Sequence, residues 1–427
     1  MSLLLTGGTV FSNGRFENKT VAIHQGRIVS DSLPTEGFSV IELNDCLVVP
    51  GFVDVHVHLR EPGFSYKETI TSGTKAAAAG GYTAVCAMPN LKPVPDSAEN
   101  LQVQLDLIRS GAKVRVYPYG AITCGERGEA LADMEAMADN VCGFSDDGRG
   151  VQSEDMMRAA MRKAKELDKL IVAHSEDESL LTKGWMIHDG DFARRGGFIG
   201  NDPASEWKQV ERDIQLVRET GCRYHVCHIS TKETVELIRA AKAEGLPVTC
   251  ETGPHYLVMC DEDLQDEGRF KMNPPIRSAD DRDALVAGLL DGTVDCIATY
   301  HAPHSAEEKG RGLAASLNGI VGLETAFPIL YTNLVQTGIV PLATILNALC
   351  VNPRKIFGLP GGEIAEGGIA DLTVLDLNRP HVIDSCTFQS LGRATPFDGW
   401  DVSAAVAMTI CDGEIVYADL QKQEESV

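Results

Sequence analysis

The chain has no paired cysteines, no long apolar run and no excess of basic residues, and each absence excludes a class of protein. Its 12 cysteines are spread singly from Cys46 to Cys411, and the closest two, Cys222 and Cys227, do not form a C-x-x-C pair. This spacing indicates neither a disulfide framework nor a zinc knuckle. The apolar run at residues 3–5 is far too short to span a membrane. The formal net charge of -23 argues against nucleic acid or an anionic membrane as a partner.

What the chain does have is enough apolar content for a large core. It contains 427 residues, of which 44% are hydrophobic, and this length predicts one large domain and one small one. No secretory signal is recognisable, so a reducing cytoplasm is the expected compartment. A small anionic substrate is compatible with the acidic charge, because a local Arg or Lys can override the global field.

Both ends of the chain have the pattern of short strands joined by tight turns. Asn13-Gly14 and Gln25-Gly26 are hairpin signals, and strand-like runs recur at 370–375 and 409–416. Each end alone has too few strands to be stable. We therefore expect a small β-sandwich domain composed of residues 1–50 and 359–427.

Residues 51–358 alternate between apolar β-rich runs and amphipathic helix-like stretches. The eight runs are 51–58, 83–90, 114–123, 141–147, 170–177, 223–230, 247–255 and 294–304. Alternation of this kind predicts a parallel sheet covered on both faces. Eight units favour an α/β protein of the (β/α)8 TIM barrel type. The alternative, an open doubly wound sheet, would carry a Gly-rich loop after its first strand, where this chain has His56-Val-His58-Leu-Arg60.

Potential metal ligands recur where the predicted strands end. His56 and His58 are two residues apart, so they point to the same face of their strand, and neutral imidazole is a common zinc ligand. The other ends carry Asn90, Asp146-Asp147, His174, His228, His255 and Tyr300-His301 with His304. Active sites of such barrels form at this end of the strands. The recurrence therefore predicts a metal centre.

The number of ligands favours two ions. Four histidines with a carboxylate exceed what one structural zinc needs, whereas two divalent ions sharing a bridging oxygen group can polarise a carbonyl. Asp146 or Asp147 is the expected bridge, and only one of them can face the site because neighbouring strand residues alternate. His225 and His228 lie on one strand and cannot both be ligands. We expect His228 to ligate and His225 to be a core histidine, while His255 either lines the mouth or packs.

Taken together, these motifs resemble the cyclic amidohydrolases of the amidohydrolase superfamily, in particular the dihydroorotases of the bacterial long-chain type. The likeness extends over essentially the whole chain. The segments that carry it are 49–63, 87–90, 144–148, 172–177, 226–231, 271–277 and 301–304.

The resemblance implies a zinc enzyme that interconverts N-carbamoyl-L-aspartate and L-dihydroorotate in pyrimidine biosynthesis. It implies two Zn2+ per chain, with His56 and His58 on the first, His174 and His228 on the second and Asp147 between them. It implies substrate contacts by Arg60, Asn90, Asn273 and His304. Many relatives bridge their metals with a carboxylated lysine, but no Lys lies near 144–148, which favours the subgroup that uses Asp. The family also suggests a homodimer.

One position departs from the family pattern. The relatives have Thr-Asp-His-Ala-Pro-His at the eighth strand, and this chain has Tyr300 in place of the Asp. By resemblance, that Asp ligates the first metal and carries a proton from the attacking water to the ring nitrogen. A tyrosine has a pKa near ~10 and is a poor base at neutral pH, and acid–base catalysis is worth roughly 10²–10⁴ in rate. Asp295 lies at the wrong end of the strand to replace it. We therefore predict impaired activity and a weakened first-metal site.

Three explanations of Tyr300 stay open: a recent or introduced change, a natural non-catalytic relative, or a variant that ligates through phenolate. Retention of the other site residues favours the first. The rival functions are another cyclic amidohydrolase, such as a hydantoinase or allantoinase, and a silent scaffold for a pathway partner such as aspartate transcarbamoylase. Arg60 with Asn90 favours a ring that bears a carboxylate, because an Arg fork fits a carboxylate in a bidentate manner.

Overall fold

Eight parallel strands close into a barrel at the centre of the protein. The computed structural model describes residues 2–30 and 36–420. The barrel strands, called first to eighth below, are Phe52–Val57, Tyr82–Ala87, Arg115–Pro118 with Gly120–Ala121, Phe144–Ser145, Ile171–Ala173, Tyr224–Val226, Val248–Thr252 and Cys296–Ile297. Each pairs in parallel with the next. A parallel bridge between Val57 and His301 closes the ring, where the His58 N–H donates to the His301 carbonyl at 2.8 Å.

Helices cover the outside of the barrel, as the amphipathic stretches predict. The longer ones are Ile70–Ala79, Ala98–Gly111, Glu154–Glu166, Ala204–Thr220, Lys232–Ala243 and Ala279–Asp291. Shorter helices are Met134–Met137, Asp191–Gly196, Pro254–Val258, Ala306–Lys309, Gly312–Ala315, Ala326–Leu330, Leu342–Leu346 and Asn352–Phe357. Among the described residues, no helix combines the length and the apolarity needed to cross a bilayer.

Side-chain caps fix where the barrel helices begin. Thr69, Ser97, Ser153, Thr231 and Ser278 each accept a hydrogen bond from a backbone N–H of the first helical turn. Such a cap satisfies a donor that has no partner inside the helix, and its loss costs about 1 kcal/mol. The loops between strand ends and helices are thereby held in place, and these loops carry the site.

Two sheets outside the barrel are built from both ends of the chain. One contains Arg27–Val29, Val21–His24, Ser2–Thr6 and Ser39–Glu42 in that order. The other has the order Glu414–Ala418, Ala405–Cys411, Leu372–Asp376, Leu47–Pro50, Thr9–Ser12 and Arg15–Asn18. Leu3, Val10, Val374 and Ile410 meet in one apolar cluster. This is the predicted small β-sandwich of the two ends, while its exact limits at residues 50 and 359 stay a prediction.

Both predicted hairpin turns are present. Asn13 and Gly14 have φ values of 50° and 73°, and Gln25 and Gly26 have 48° and 77°. Each pair joins two antiparallel strands. Two consecutive left-handed residues match the right-handed twist of the flanking strands, which is why Asn-Gly is typical of such turns.

Candidate metal centre

The ends of four barrel strands bring four histidines together around one aspartate. Asp147 follows the fourth strand, and its Oδ1 lies 3.5 Å from His56 Nε2 and 3.6 Å from both His174 Nδ1 and His228 Nε2. Its Oδ2 lies 3.5 Å from His58 Nε2. All five side chains are buried. The five ligands implied by the resemblance therefore lie in one cluster, with the carboxylate between the two histidine pairs.

The atoms at the middle of this cluster fit a cation. Both oxygens of Asp147 and Nε2 of His56 are buried and make no hydrogen bond within the described residues. A buried carboxylate without partners is costly to desolvate, and a cation between it and imidazole nitrogens removes that cost. Two groups have ligand atoms within 4.8 Å of one another, namely Asp147, His174 and His228, and His56, Asp147 and Cys227. Imidazole-rich sets of this kind suit zinc.

Cys227 was not among the predicted ligands, and its chemistry argues against it. Burial, with Glu251 and Asp147 nearby, raises the pKa of its thiol well above the ordinary value, whereas a metal binds thiolate. His58 is the better partner for His56. Burial and the charge of Arg60 hold the pKa of His58 well below its ordinary value, so its ring is neutral and carries a lone pair.

Charge is distributed unevenly over the cluster. Burial alone would raise the pKa of Asp147, but His56, His174 and His228 hold it well below its usual range. Burial opposes protonation of His56 and His174, yet Asp147 and neighbouring carboxylates raise their pKa values to about 9 and about 10. Burial and the two charged rings lower the pKa of His228. Ligand nitrogens must be unprotonated to bind an ion, so metal binding displaces these protons.

Three of the four histidines are held through their other ring nitrogen by a second side chain. The contacts are His56 Nδ1 to Glu251 Oε1 at 2.7 Å, His58 Nδ1 to Asn90 Oδ1 at 3.0 Å and His174 Nε2 to Glu176 Oε2 at 3.5 Å. Such partners fix the tautomer and orientation of a ligand. Asn90, predicted as a substrate contact, contacts His58 through its Oδ1. Neither glutamate was predicted, although Glu251 is a charged residue inside the apolar run Val248–Thr252.

Asp146 and Asp147 face different neighbours. Asp146 Oδ1 accepts the backbone N–H groups of Ile122 and Thr123 at 2.7 and 3.0 Å, and the Thr123 hydroxyl donates to its other oxygen. Asp146 therefore holds the loop that follows the third strand. This arrangement favours Asp147 as the bridging carboxylate.

Arg60 and His304 meet at the rim of the metal centre. The first strand ends at Val57, and Arg60 beyond it has a left-handed φ of 61°. This turn lets Arg60 Nε donate to the Pro303 carbonyl at 3.1 Å, with Nη2 3.4 Å from His304 Nε2. The guanidinium is thereby fixed beside the cluster, with its terminal amino groups carrying the remaining donors.

The proton of His304 can be assigned from its partners. Lys67 Nζ lies 3.1 Å from Nδ1, and the Asn318 carbonyl lies 2.8 Å from Nε2. An ammonium only donates, so Nδ1 accepts and the ring proton is on Nε2, bonded to the carbonyl at 2.8 Å. Arg60 Nη2, also a donor only, therefore makes no hydrogen bond to Nε2 at 3.4 Å. Burial, with Arg60 and Lys67, lowers the pKa of His304 to about 3. His304 is thus neutral, and the positive charge at this rim belongs to Arg60 and Lys67.

Asn273 lies on the opposite side of the centre. Its Nδ2 donates to Glu176 Oε2 at 3.1 Å, while its buried Oδ1 has no hydrogen-bond partner within the described residues. Glu176 also contacts His174, so the same carboxylate touches a metal ligand and Asn273. The free oxygen is an acceptor for an N–H group.

Tyr300 stands over the cluster. Its ring centroid lies 4.6 Å from that of His56, at 88° to its plane, and 4.9 and 5.5 Å from those of His228 and His58. Its φ of 54° is left-handed, a region that Asp and Asn tolerate better than an aromatic residue. Burial and the nearby Asp147 raise its pKa well above 10. Tyr300 therefore keeps its proton at neutral pH.

Asp295, His225 and His255 do not supply a base to the metal centre. Asp295 Oδ2 contacts Lys242 Nζ at 2.7 Å, away from the histidines, so it does not replace the missing aspartate. His225 is buried and bonded on both ring nitrogens, as expected of a core histidine. His255 is buried against Tyr256, and burial lowers its pKa to about 3.

Comparison with known sequences agrees with this chemistry. The family model described as Dihydro-orotase-like matches residues 45–234. The dihydroorotase of Geobacillus sp. (strain WCH70) is 48% identical over 423 residues, which cover 98% of this chain and 99% of the relative. The dihydroorotase of Bacillus caldolyticus is also 48% identical over 423 residues, with the same coverage.

Solved structures give the same architecture. The L-hydantoinase (dihydropyrimidinase) from Arthrobacter aurescens superposes with a TM-score of 0.86 at 26% identity, covering 97% of this chain and 96% of that chain. The dihydropyrimidinase from Brevibacillus agri NCHU1002 has a TM-score of 0.86 at 22% identity, covering 98% and 95%, and shows the fold alone. The predicted (β/α)8 barrel with a small β-sandwich is confirmed.

Proposed function

The chain belongs to the dihydroorotase family of cyclic amidohydrolases, and from this premise we propose how its site handles the reaction. The reaction is the reversible hydrolysis of L-dihydroorotate to N-carbamoyl-L-aspartate in pyrimidine biosynthesis. The observation that carries the proposal is Asp147, buried and unpartnered between two histidine pairs, with Arg60 fixed at the rim.

We propose that zinc is the metal, with two ions per chain. His56 and His58 would hold the first ion, His174 and His228 the second, and Asp147 both. An ion held there would supply polarisation of the ring carbonyl and activation of a water molecule at neutral pH.

The protein groups around the centre bind and orient the substrate. Arg60 offers a planar fork to the carboxylate of dihydroorotate, and Lys67 adds positive charge beside it through His304. The amide of Asn273 is oriented by Glu176, so its Oδ1 accepts the ring N–H. Asn90 contacts His58 Nδ1 through its Oδ1, and its amide nitrogen is proposed to donate to the carboxylate end of the substrate.

At position 300 this chain lacks a side chain that can accept the proton of the attacking water. Tyr300 holds its proton at neutral pH and cannot accept one from water. Its ring also lies against His56, where the family places an additional ligand. We infer that the lineage is dihydroorotase, that turnover by this chain is severely impaired, and that the first zinc is held more loosely than the second.

The test is L-dihydroorotate hydrolysis with zinc content measured on the same sample, for the parent chain and for Tyr300→Asp. The substitution is expected to raise turnover by at least about a hundredfold, because it restores acid–base catalysis. Tyr300→Asn is the matched control, similar in size but without a carboxylate, and should recover none of this gain. Equal rates for the parent and Tyr300→Asp would contradict the impairment. No turnover by Tyr300→Asp loaded with two zinc ions would contradict the reaction.

Tyr300 also supports a second candidate function, a non-catalytic scaffold for a pathway partner. Aspartate transcarbamoylase is the partner to test, and a cytoplasmic homodimer is the assembly we expect of the family. Sedimentation of the chain with and without that enzyme distinguishes the roles. A stable complex, with zinc absent from the chain, would favour the scaffold. A hydantoinase or allantoinase activity is disfavoured by Arg60, and would be indicated by faster hydrolysis of hydantoin than of dihydroorotate in the Tyr300→Asp variant.

A further inference from the structure

Glu251 links two histidines inside the barrel. It lies on the seventh strand and is 1% exposed. Its Oε1 lies 2.7 Å from His56 Nδ1, and its Oε2 lies 3.1 Å from His225 Nε2. His225 Nδ1 lies in turn 2.8 Å from the Thr249 hydroxyl. A buried carboxylate is therefore held between one ring of the metal cluster and one ring of the core.

The donor and acceptor roles of Glu251 and its two histidine partners show which ring nitrogens carry protons. An ionised carboxylate only accepts, so His56 carries a proton on Nδ1 and His225 carries one on Nε2. Nδ1 of His225 then accepts from Thr249. Each oxygen of Glu251 thus accepts an N–H from a different ring. With Nδ1 committed, Nε2 of His56 is the nitrogen available to a cation, and it is this nitrogen that faces Asp147 at 3.5 Å.

We propose that Glu251 is a positioning residue that fixes the ring and the tautomer of His56 for metal binding, with His225 as its anchor in the core. The inference rests on the proposed role of His56 as a metal ligand. Glu251 and His225 do not touch the substrate contacts described above, and they act through His56 alone. Carboxylates behind metal-bound histidines typically contribute 10- to 100-fold to metal affinity or activity.

The other two partners of ligand histidines are weaker. Asn90 meets His58 at 3.0 Å but is neutral, and Glu176 meets His174 at 3.5 Å with its side chain 13% exposed. Glu251 combines full charge, complete burial and the shortest contact of the three. A charge-assisted hydrogen bond in a buried position is about twice as strong as a neutral one. We therefore expect substitution of Glu251 to have the largest effect on metal binding among these partners.

Glu251→Gln tests the proposal with little change in volume. The Gln oxygen can still accept from His56, and its amide can donate to His225, whose proton moves to Nδ1 because the Thr249 hydroxyl can also accept. The fold is thereby retained while the charge is lost. Cobalt(II) titration followed by absorbance, in the parent chain and in Tyr300→Asp, should show affinity at the His56 side roughly 10- to 100-fold lower. Glu176→Gln is the control for the other side and should leave that affinity within about threefold.

A second readout does not depend on metal. The Nδ1 proton of His56 should give a strongly downfield resonance in histidine-labelled protein, assigned by its absence in His56→Gln. It should shift upfield in Glu251→Gln, and Glu251→Asp should recover part of the shift. Thr249→Val should leave it in place, because the bond from His56 to Glu251 is untouched. Unchanged cobalt affinity in Glu251→Gln, or an Nδ1 resonance insensitive to Glu251, would overturn the inference. Failure of the parent chain to bind cobalt would instead overturn the proposed metal site.

Discussion

The two sides of the metal centre differ in what surrounds their histidines. On one side, His174 and His228 lie 3.0 Å apart through ring nitrogens, and Glu176 continues a polar network away from them. On the other, His56 and His58 lie below the ring of Tyr300, with the closest centroid distance, 4.6 Å, to His56. His228 also touches that ring, at 4.9 Å. All four imidazoles are thus present, but one residue, Tyr300, gives the two histidine pairs different surroundings.

The difference is also conformational. Tyr300 adopts a left-handed backbone that suits Asp or Asn better than an aromatic residue. Arg60 and His228 have positive φ values as well, at 61° and 36°. Strained residues cluster where a scaffold must aim side chains at a ligand. Left-handed backbone at Arg60, His228 and Tyr300 therefore coincides with the residues that surround the metal centre.

The largest difference between the two sides is expected in zinc retention, when one proposed ligand is removed from each side in turn. His174→Ala is expected to lower retention of the tightly held ion by at least roughly a hundredfold, since even the partners of ligands contribute 10- to 100-fold. His58→Ala should change that retention little, because His58 is proposed to hold the other, more loosely bound ion. Zinc per chain after dialysis against a chelator measures both. Equal loss in the two variants would show that Tyr300 leaves the centre symmetrical.

A smaller effect is expected from Lys309, at the end of the short helix Ala306–Lys309 that follows the eighth strand. Its Nζ donates to the carbonyls of Lys271 and Leu317, and burial with the charge of Lys271 lowers its pKa to about 7. Between pH 7 and the ordinary lysine pKa, the unfolded state binds more protons than the folded state. The free energy of unfolding therefore rises with pH in this window, by about 2 kcal/mol from pH 7 to 9.

Urea unfolding of the parent chain and of Lys309→Met at both pH values isolates this contribution from other titrating groups. The rise should be smaller in the variant by that amount. A rise of the same size in both proteins would mean that Lys309 is charged in the folded state. The result would show whether the helix Ala306–Lys309, which follows the eighth strand, holds a buried lysine without charge.

The smallest effect is expected from Tyr300→Phe. This substitution tests whether Tyr300 only packs on His56 or also binds a metal through its phenolate oxygen. Tyr300→Phe removes only the hydroxyl and keeps the ring against His56. If the ring alone weakens the first-metal side, zinc per chain and its affinity should stay within about threefold of the parent, because no ligand atom is lost. A clear loss of metal on this substitution would instead assign the Tyr300 oxygen as a ligand.

Sequence periodicity was sufficient for the barrel because each strand is a short, buried apolar run followed by an amphipathic helix. It also placed His56, His174 and His228 together, since the ends of parallel strands converge on one face of a barrel, but it left Asp146 and Asp147 as alternatives. It could not reveal that Glu251 reaches His56, because the two residues are far apart in the chain. Nor could it reveal that Arg60 turns through a left-handed backbone to reach Pro303. Contacts of this kind depend on which strands are neighbours and on local dihedral angles.

The pairing of Leu47–Pro50 with Leu372–Asp376 has a consequence for how the chain folds during synthesis. The early strand leaves the ribosome more than three hundred residues before its antiparallel partner. Contacts between such distant segments form late, because closing a long loop precedes any gain from them. The barrel can thus assemble before the sandwich closes, and the apolar strands of the amino-terminal end must wait exposed or be shielded by chaperones until the carboxy-terminal strands emerge.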